Sequence, residues 1–145
     1  MDISSFHTDH RASEEGAWVD NIPGAGDLRL KVRGHKSMYV AKARGEKERK
    51  ISRDQREDDG SLKPDVALAI YVEVMHEAIL LDWDGLTDNG EPVPYDKKLA
   101  KEWLSNPKFR HFADAVTYAS SVVDNRKVAE KEFVAKNSKG SSSSN

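Results

Sequence analysis

Apolar residues alternate with charged ones in one short stretch of this chain and recur at helical spacing through its second half. Leu28, Leu30 and Val32 alternate with Arg29, Lys31 and Arg33. That period of two predicts a strand with one apolar and one cationic face. Before it, Trp18-Val19-Asp20-Asn21-Ile22 reads as a short extended segment, and Pro23-Gly24-Ala25-Gly26-Asp27 as a turn. Glycine there tolerates positive φ and proline fixes its own. The two segments predict a small hairpin whose apolar face needs a helix to cover it.

From Ser37 to about Arg56 the chain favours helix, but only its start, with Met38, Tyr39 and Ala41, is apolar enough to pack; the rest is expected to be solvated. Glu57 to Lys63 is a polar break. Val66, Ile70, Val74, Ala78 and Leu81 then fall on one stripe, with Val72, Met75 and Ile79 beside it. They predict a core helix, opened by Pro64 in its first turn and stopped near Trp83-Asp84-Gly85.

Residues 85–95 contain Pro92 and Pro94 and are not expected to be helical. Asp96 should cap a short helix, Lys97 to Asn106, that points Leu99, Trp103 and Leu104 inward. Asn106-Pro107 should open a last helix with Phe109, Phe112, Ala113, Val116, Ala119, Ser120 and Val123 on its apolar face.

The fold class expected is mainly α (α+β): a small helical bundle with a short N-terminal β-hairpin and disordered termini. Residues 1–15, polar throughout, are expected to form a disordered arm. Residues 16–125 are expected to be a single mainly helical domain, and 126–145 a helical extension with a flexible Ser-rich tail.

Composition narrows the classes of function. At 145 residues the chain is one domain in size, and 33% charged against 37% hydrophobic residues implies a modest core. The absence of cysteine removes disulfides, thiolate catalysis and cysteine-based zinc sites. The N-terminus has no apolar signal region, and the longest apolar run, Ala78 to Leu81, is far too short to span a bilayer. A soluble protein without membrane association is expected.

The net charge of −2 hides four blocks: −5 over residues 1–28, +8 over 29–56, −10 over 57–96 and +5 over 97–145. Such blocks mark interaction surfaces or mobile arms. Opposite neighbours can also neutralise one another within the fold or between subunits, so self-association is one expectation.

Chemical motifs are missing. Asp82, Asp84, Asp88 and Glu91 invite a calcium reading, but the glycine and glutamate fall at the wrong positions for such a loop. A turn whose Asp and Asn side chains bond local N–H groups is expected instead. His7, His10, His35, His76 and His111 have no zinc-binding spacing, and neither a serine elbow nor a phosphate loop is present. No enzyme activity, catalytic residue, cofactor or metal ligand is therefore expected. The basic segment 29–56 supports a nucleic-acid-binding alternative, opposed by the acidic block after it and a pI near 6. Trp103 is expected in the core, and Trp83 as a partly exposed anchor on a binding surface.

Leu81-Asp82-Trp83-Asp84-Gly85-Leu86-Thr87-Asp88-Asn89-Gly90-Glu91-Pro92-Val93-Pro94-Tyr95 resembles a recurring signature of the tail assembly chaperones of long-tailed, siphovirus-type bacteriophages. In that family a core helix ends at a tryptophan, an acidic glycine turn follows, and a Pro-x-Pro/aromatic stretch leads to a short helix. Residues 96–106 and Phe109 to Val123 are similar to the family's next two helices.

The resemblance implies a non-enzymatic protein that binds the tape measure protein and helps recruit the tail tube protein during tail morphogenesis. It also implies residence in the host cell cytoplasm and absence from the mature virion. Trp83, Asp84, Asp88, Glu91 and Tyr95 become the candidate partner-binding residues, beside the outward faces of helices at 66–82 and 107–123. A structural head–tail or tail component of the virion is the nearest alternative.

Overall fold

The structure is a computed structural model that describes residues 1–128. Among these residues it is mainly helical: the last α-helix packs on a three-stranded antiparallel sheet, four further α-helices pack on it, on one another and on the turn before the third strand, and a two-stranded ribbon forms a second sheet. Strand β1 (Ala17–Val19) pairs with β2 (Arg29–Val32), the hairpin that the alternation predicts. Leu30 and Val32 are fully buried on its inner face.

The third strand was not expected. The core helix α3 (Pro64–Val74) passes into a wider π turn, Met75–Ile79, and the chain then straightens into β3 (Leu80–Asp84), which pairs with β2. The predicted helix through Leu81 is thus corrected to a helix ending in the π turn. In β3, Leu80 lies opposite Val32 and Trp83 opposite Leu30, with an irregularity that leaves Leu81 as the extra residue. Ladder hydrogen bonds to β2 and the burial of Leu80 and Trp83 outweigh the local helical pattern.

Helix α2 (Met38–Arg49) starts at Ser37, whose side chain accepts from the N–H groups of Tyr39 and Val40. Helix α4 (Lys97–Ser105) is capped in the same way by Asp96, which accepts from Lys98 and Leu99. Pro107–Phe109 forms a tight turn before α5 (Arg110–Asp124), whose buried face is Ala115, Val116, Ala119, Ser120 and Val123. Phe109, expected on that face, sits in the turn instead and is 41% exposed.

The expected disordered arm is also corrected. Residues 10–15 form α1 (His10–Glu15), capped by Asp9 and packed against α5. The physical reason is tertiary: Gly34 N–H donates to Ser13 O, and the Glu14 carboxylate accepts from Met38 N–H at the start of α2. Short polar segments of this kind gain order only from such partners. Of the expected extension and Ser-rich tail over 126–145, residues 129–145 lie outside the described residues.

Candidate functional site

The acidic turn is built as a ribbon. Beyond Asp84, Gly85 takes φ +86°, and a Cβ there would overlap the carbonyl oxygen of Asp27. β4 (Thr87–Asp88) then pairs with β5 (Glu91–Pro92) across Asn89 and Gly90, both at positive φ. Two left-handed residues in a two-residue loop match the twist of a hairpin. Val93 N–H donates to Leu86 O at 2.9 Å and closes the base of the ribbon. Asp84, Asp88 and Glu91 are exposed on it.

Trp83 does not join them. It is 4% exposed, so the expected surface anchor is corrected to a core residue. Its ring stacks on Trp103 at 5.1 Å between centroids and meets Tyr95 and Phe112 edge-on at 4.9 and 5.8 Å. Its indole N–H donates to Val93 O at 2.8 Å, which fastens the base of the ribbon to the core. The register of β3 turns Trp83 inward beside Leu30; a helical terminus would have left it outside. Tyr95 is half-buried, and its hydroxyl pKa is pushed above its ordinary 10.0 by burial, with Asp82 and Asp96 adding to the shift. The five predicted residues therefore divide into three surface carboxylates, one partly covered phenol and one core indole.

A second feature lies between α3, the end of α4 and the start of α5. A groove of about 330 Å³ is lined by Leu68, Val72, Met75, Leu104, Pro107 and Ala113. Arg110 and Asp114 line it as well. Leu68, on α3 at the edge of the groove, is 64% exposed. The sequence placed a partner surface on the outward sides of these two helical regions; α3 contributes to it only as far as its helix extends.

Behind the groove runs a polar network that joins residues too far apart in sequence to be read together. Asp124, buried at the end of α5, accepts from Ser13 Oγ at 3.1 Å and from Lys36 N–H at 3.3 Å. His35 Nδ1 stands 3.9 Å from Asp124 Oδ2, and its Nε2 is 2.8 Å from the Tyr71 hydroxyl. That hydroxyl is 2.9 Å from Thr117 Oγ1. Desolvation lowers the His35 pKa below its ordinary 6.5, the Asp124 charge opposes that shift, and Arg44 adds to it. No local pattern in the sequence pointed to this network.

The basic segment is spent partly on its own protein. Arg29 lies 3.6 Å from Asp84 and over the Trp18 ring, and Arg33 stacks over Tyr39 while donating to Glu14 O at 2.9 Å. Lys47 bridges Glu73 and Glu77 at 3.2 and 2.9 Å. Neighbouring blocks of opposite sign thus meet inside the fold. Among the described residues no three His, Asp or Glu side chains gather closely enough to hold a metal ion, and no helix is long and apolar enough to cross a membrane.

These features define a small, mainly helical α+β protein. The chain belongs to the YdaY prophage protein family, whose sequence model matches residues 35–137. Among curated proteins and solved structures, none matches it. The match begins at His35 and takes in α2 through α5, hence the groove, the ribbon and most of the polar network. Helix α1 and the β1–β2 hairpin precede it.

Proposed function

We propose that this prophage protein is a non-enzymatic tail assembly chaperone. Its groove takes an apolar helical stretch of the tape measure protein and keeps it soluble until tail tube subunits displace it. It works in the host cytoplasm and leaves before the virion is complete. The observation that carries this reading is the apolar groove between α3 and α5, bordered by exposed Leu68. A helix laid in such a groove contributes anchors at i, i+3, i+4 and i+7; here Leu68, Val72 and Met75 give one apolar wall, and Arg110 and Asp114 put charge on the other. Chaperoning of this kind needs differential binding and no bond chemistry.

The exposed carboxylates Asp84, Asp88 and Glu91 add orientation, since charge beside an apolar contact steers encounter and fixes register more than it adds affinity. The test is co-expression with a tape measure candidate, followed by pull-down and light scattering. A soluble stoichiometric complex is expected, with the partner insoluble alone. Burying a leucine side chain contributes about 1.5–3 kcal/mol, so Leu68→Glu should weaken the complex roughly tenfold to a hundredfold with an unchanged melting temperature. A partner that stays soluble alone and does not associate would defeat the reading.

A further inference from the structure

Much of the outer face of α2 reaches solvent, although Arg33 covers one side of the Tyr39 ring. Val40 and Ala43 pack inward, whereas Met38 and Tyr39 are 71% and 56% exposed. Along the same side of the chain Lys36, Lys42, Arg49, Lys50 and Arg53 reach solvent, and none of them forms an ion pair among the described residues. Residues 36–53 carry seven basic and two acidic side chains, a net +5. Residues 82–96, the ribbon and its flanks, carry five acidic and no basic side chains, a net −5.

Within one chain these two surfaces do not meet. Helix α2 packs on α3 and the π turn that precedes β3, and the ribbon follows the far end of β3. Five residues of strand separate them by about 16 Å. That is roughly twice the Debye length at physiological ionic strength, about 8 Å. Their attraction is therefore largely screened inside one molecule and remains available between molecules.

We propose that the α2 face is a docking site for a second copy of this chain, which presents its acidic β4–β5 ribbon to it. Lys42, Arg49 and Lys50 face Asp88 and Glu91 of the neighbour, whose Asp84 is paired with its own Arg29. Met38 and Tyr39 pack against the exposed Pro92 and Pro94, which hold the ribbon's base extended without a side-chain entropy cost. The contact is heterologous: each copy uses one surface on each neighbour, so the copies form a ring or an open row. Neither surface lines the groove between α3 and α5, so a row of copies leaves every groove open. The self-contact does not depend on which partner the groove takes.

The test is sedimentation velocity of the full chain at about 0.1 M and about 1 M salt, between which the Debye length falls from about 10 Å to about 3 Å. Wild-type protein should sediment as more than a monomer in the first and as a monomer in the second. One variant carries Lys42→Glu, Arg49→Glu and Lys50→Glu; the other carries Asp88→Lys and Glu91→Lys. Each alone should be monomeric, since its two surfaces then repel, and an equimolar mixture should assemble again because both contacts become complementary. The single changes Lys42→Glu and Asp88→Lys repeat the exchange if either variant melts early. Wild type monomeric at both salts, or variants that assemble as wild type does, would overturn the proposal. So would a mixture that stays monomeric. A monomer whose α2 face instead retains nucleic acid or an acidic peptide would overturn it in favour of that partner.

Discussion

Ser13 Oγ donates to the buried carboxylate of Asp124 at 3.1 Å across 111 residues of sequence, and Gly34 sits against both. This contact turns a polar N-terminal segment into a helix fixed to the last helix of the fold. A Cβ on Gly34 would overlap Asp124 Oδ1 and crowd Ser13 Oγ. Asp124→Ala would leave the Ser13 hydroxyl and the Lys36 N–H without their acceptor. Each change should lower unfolding free energy by about 1–3 kcal/mol in urea titrations. A loss within error of zero for both would mean that the network is solvated and structurally idle.

Trp83 joins β3, α4, α5 and the ribbon through its ring contacts and its bond to Val93. Trp83→Ala should cost about 3–5 kcal/mol, the range for removing a large core aromatic. That is a large part of a small domain's whole stability. Trp83→Phe, which keeps a ring but loses the indole N–H, should cost less. Retention of the wild-type melting temperature by Trp83→Ala would return Trp83 to the surface.

Acid should destabilise the fold through two histidines. His35 is held below its ordinary 6.5 chiefly by desolvation, with Arg44 in the same sense and Asp124 opposing. His76, whose buried Nδ1 has no hydrogen-bond partner, is lowered by desolvation and by Lys97, Lys101 and Lys47, with Glu77 opposing. The unfolded chain then binds more protons than the folded one below about pH 6.5, so stability falls as pH drops through that value toward the lowered folded pKa. Melting temperature measured from pH 7.5 to 5 should decline, and His35→Gln should flatten the decline. An unchanged slope in that variant would remove His35 from the account.

Lys47 holds Glu73 and Glu77 against α2, and its pKa is raised, first by the hydrogen bond that it donates to Glu77. The two carboxylates are about half exposed, so screening keeps the contribution small. Lys47→Ala should cost no more than about 1 kcal/mol, and less at high salt. A thermal melt in low and high salt measures both, and a cost several times larger would mean that its aliphatic stem, not its charge, holds the helices together.

Much of the fold was readable because it is decided within a few residues. Ser37, Pro64 and Asp96 start helices by satisfying or omitting N–H groups in the first turn, and Pro92 and Pro94 keep residues 85–95 out of a helix. The alternation from Leu28 to Arg33 specified β2 and which of its faces is buried. The apolar stripes of α3 and α5 marked the faces these helices bury, Ile70 and Val74 on one and Val116, Ala119 and Val123 on the other, and the surface carboxylates Asp84, Asp88 and Glu91 stood out by their charge.

What only the tertiary structure decided has a common cause: the deciding partner is distant in sequence. Residues 80–84 continue a helical stripe when read locally, and become β3 because β2, some fifty residues earlier, offers an unpaired edge. Trp83 follows that choice into the core. Residues 10–15 have no apolar pattern of their own, and become α1 through Asp124, Gly34 and the start of α2. Local propensity and periodicity differ between alternatives by little free energy per residue, so hydrogen bonds and burial supplied from elsewhere in the chain choose between them. The sequence by itself determined the caps, turns, stripes and charge blocks; the packed sheet determined which helix ends early, which tryptophan is buried and which polar residues meet.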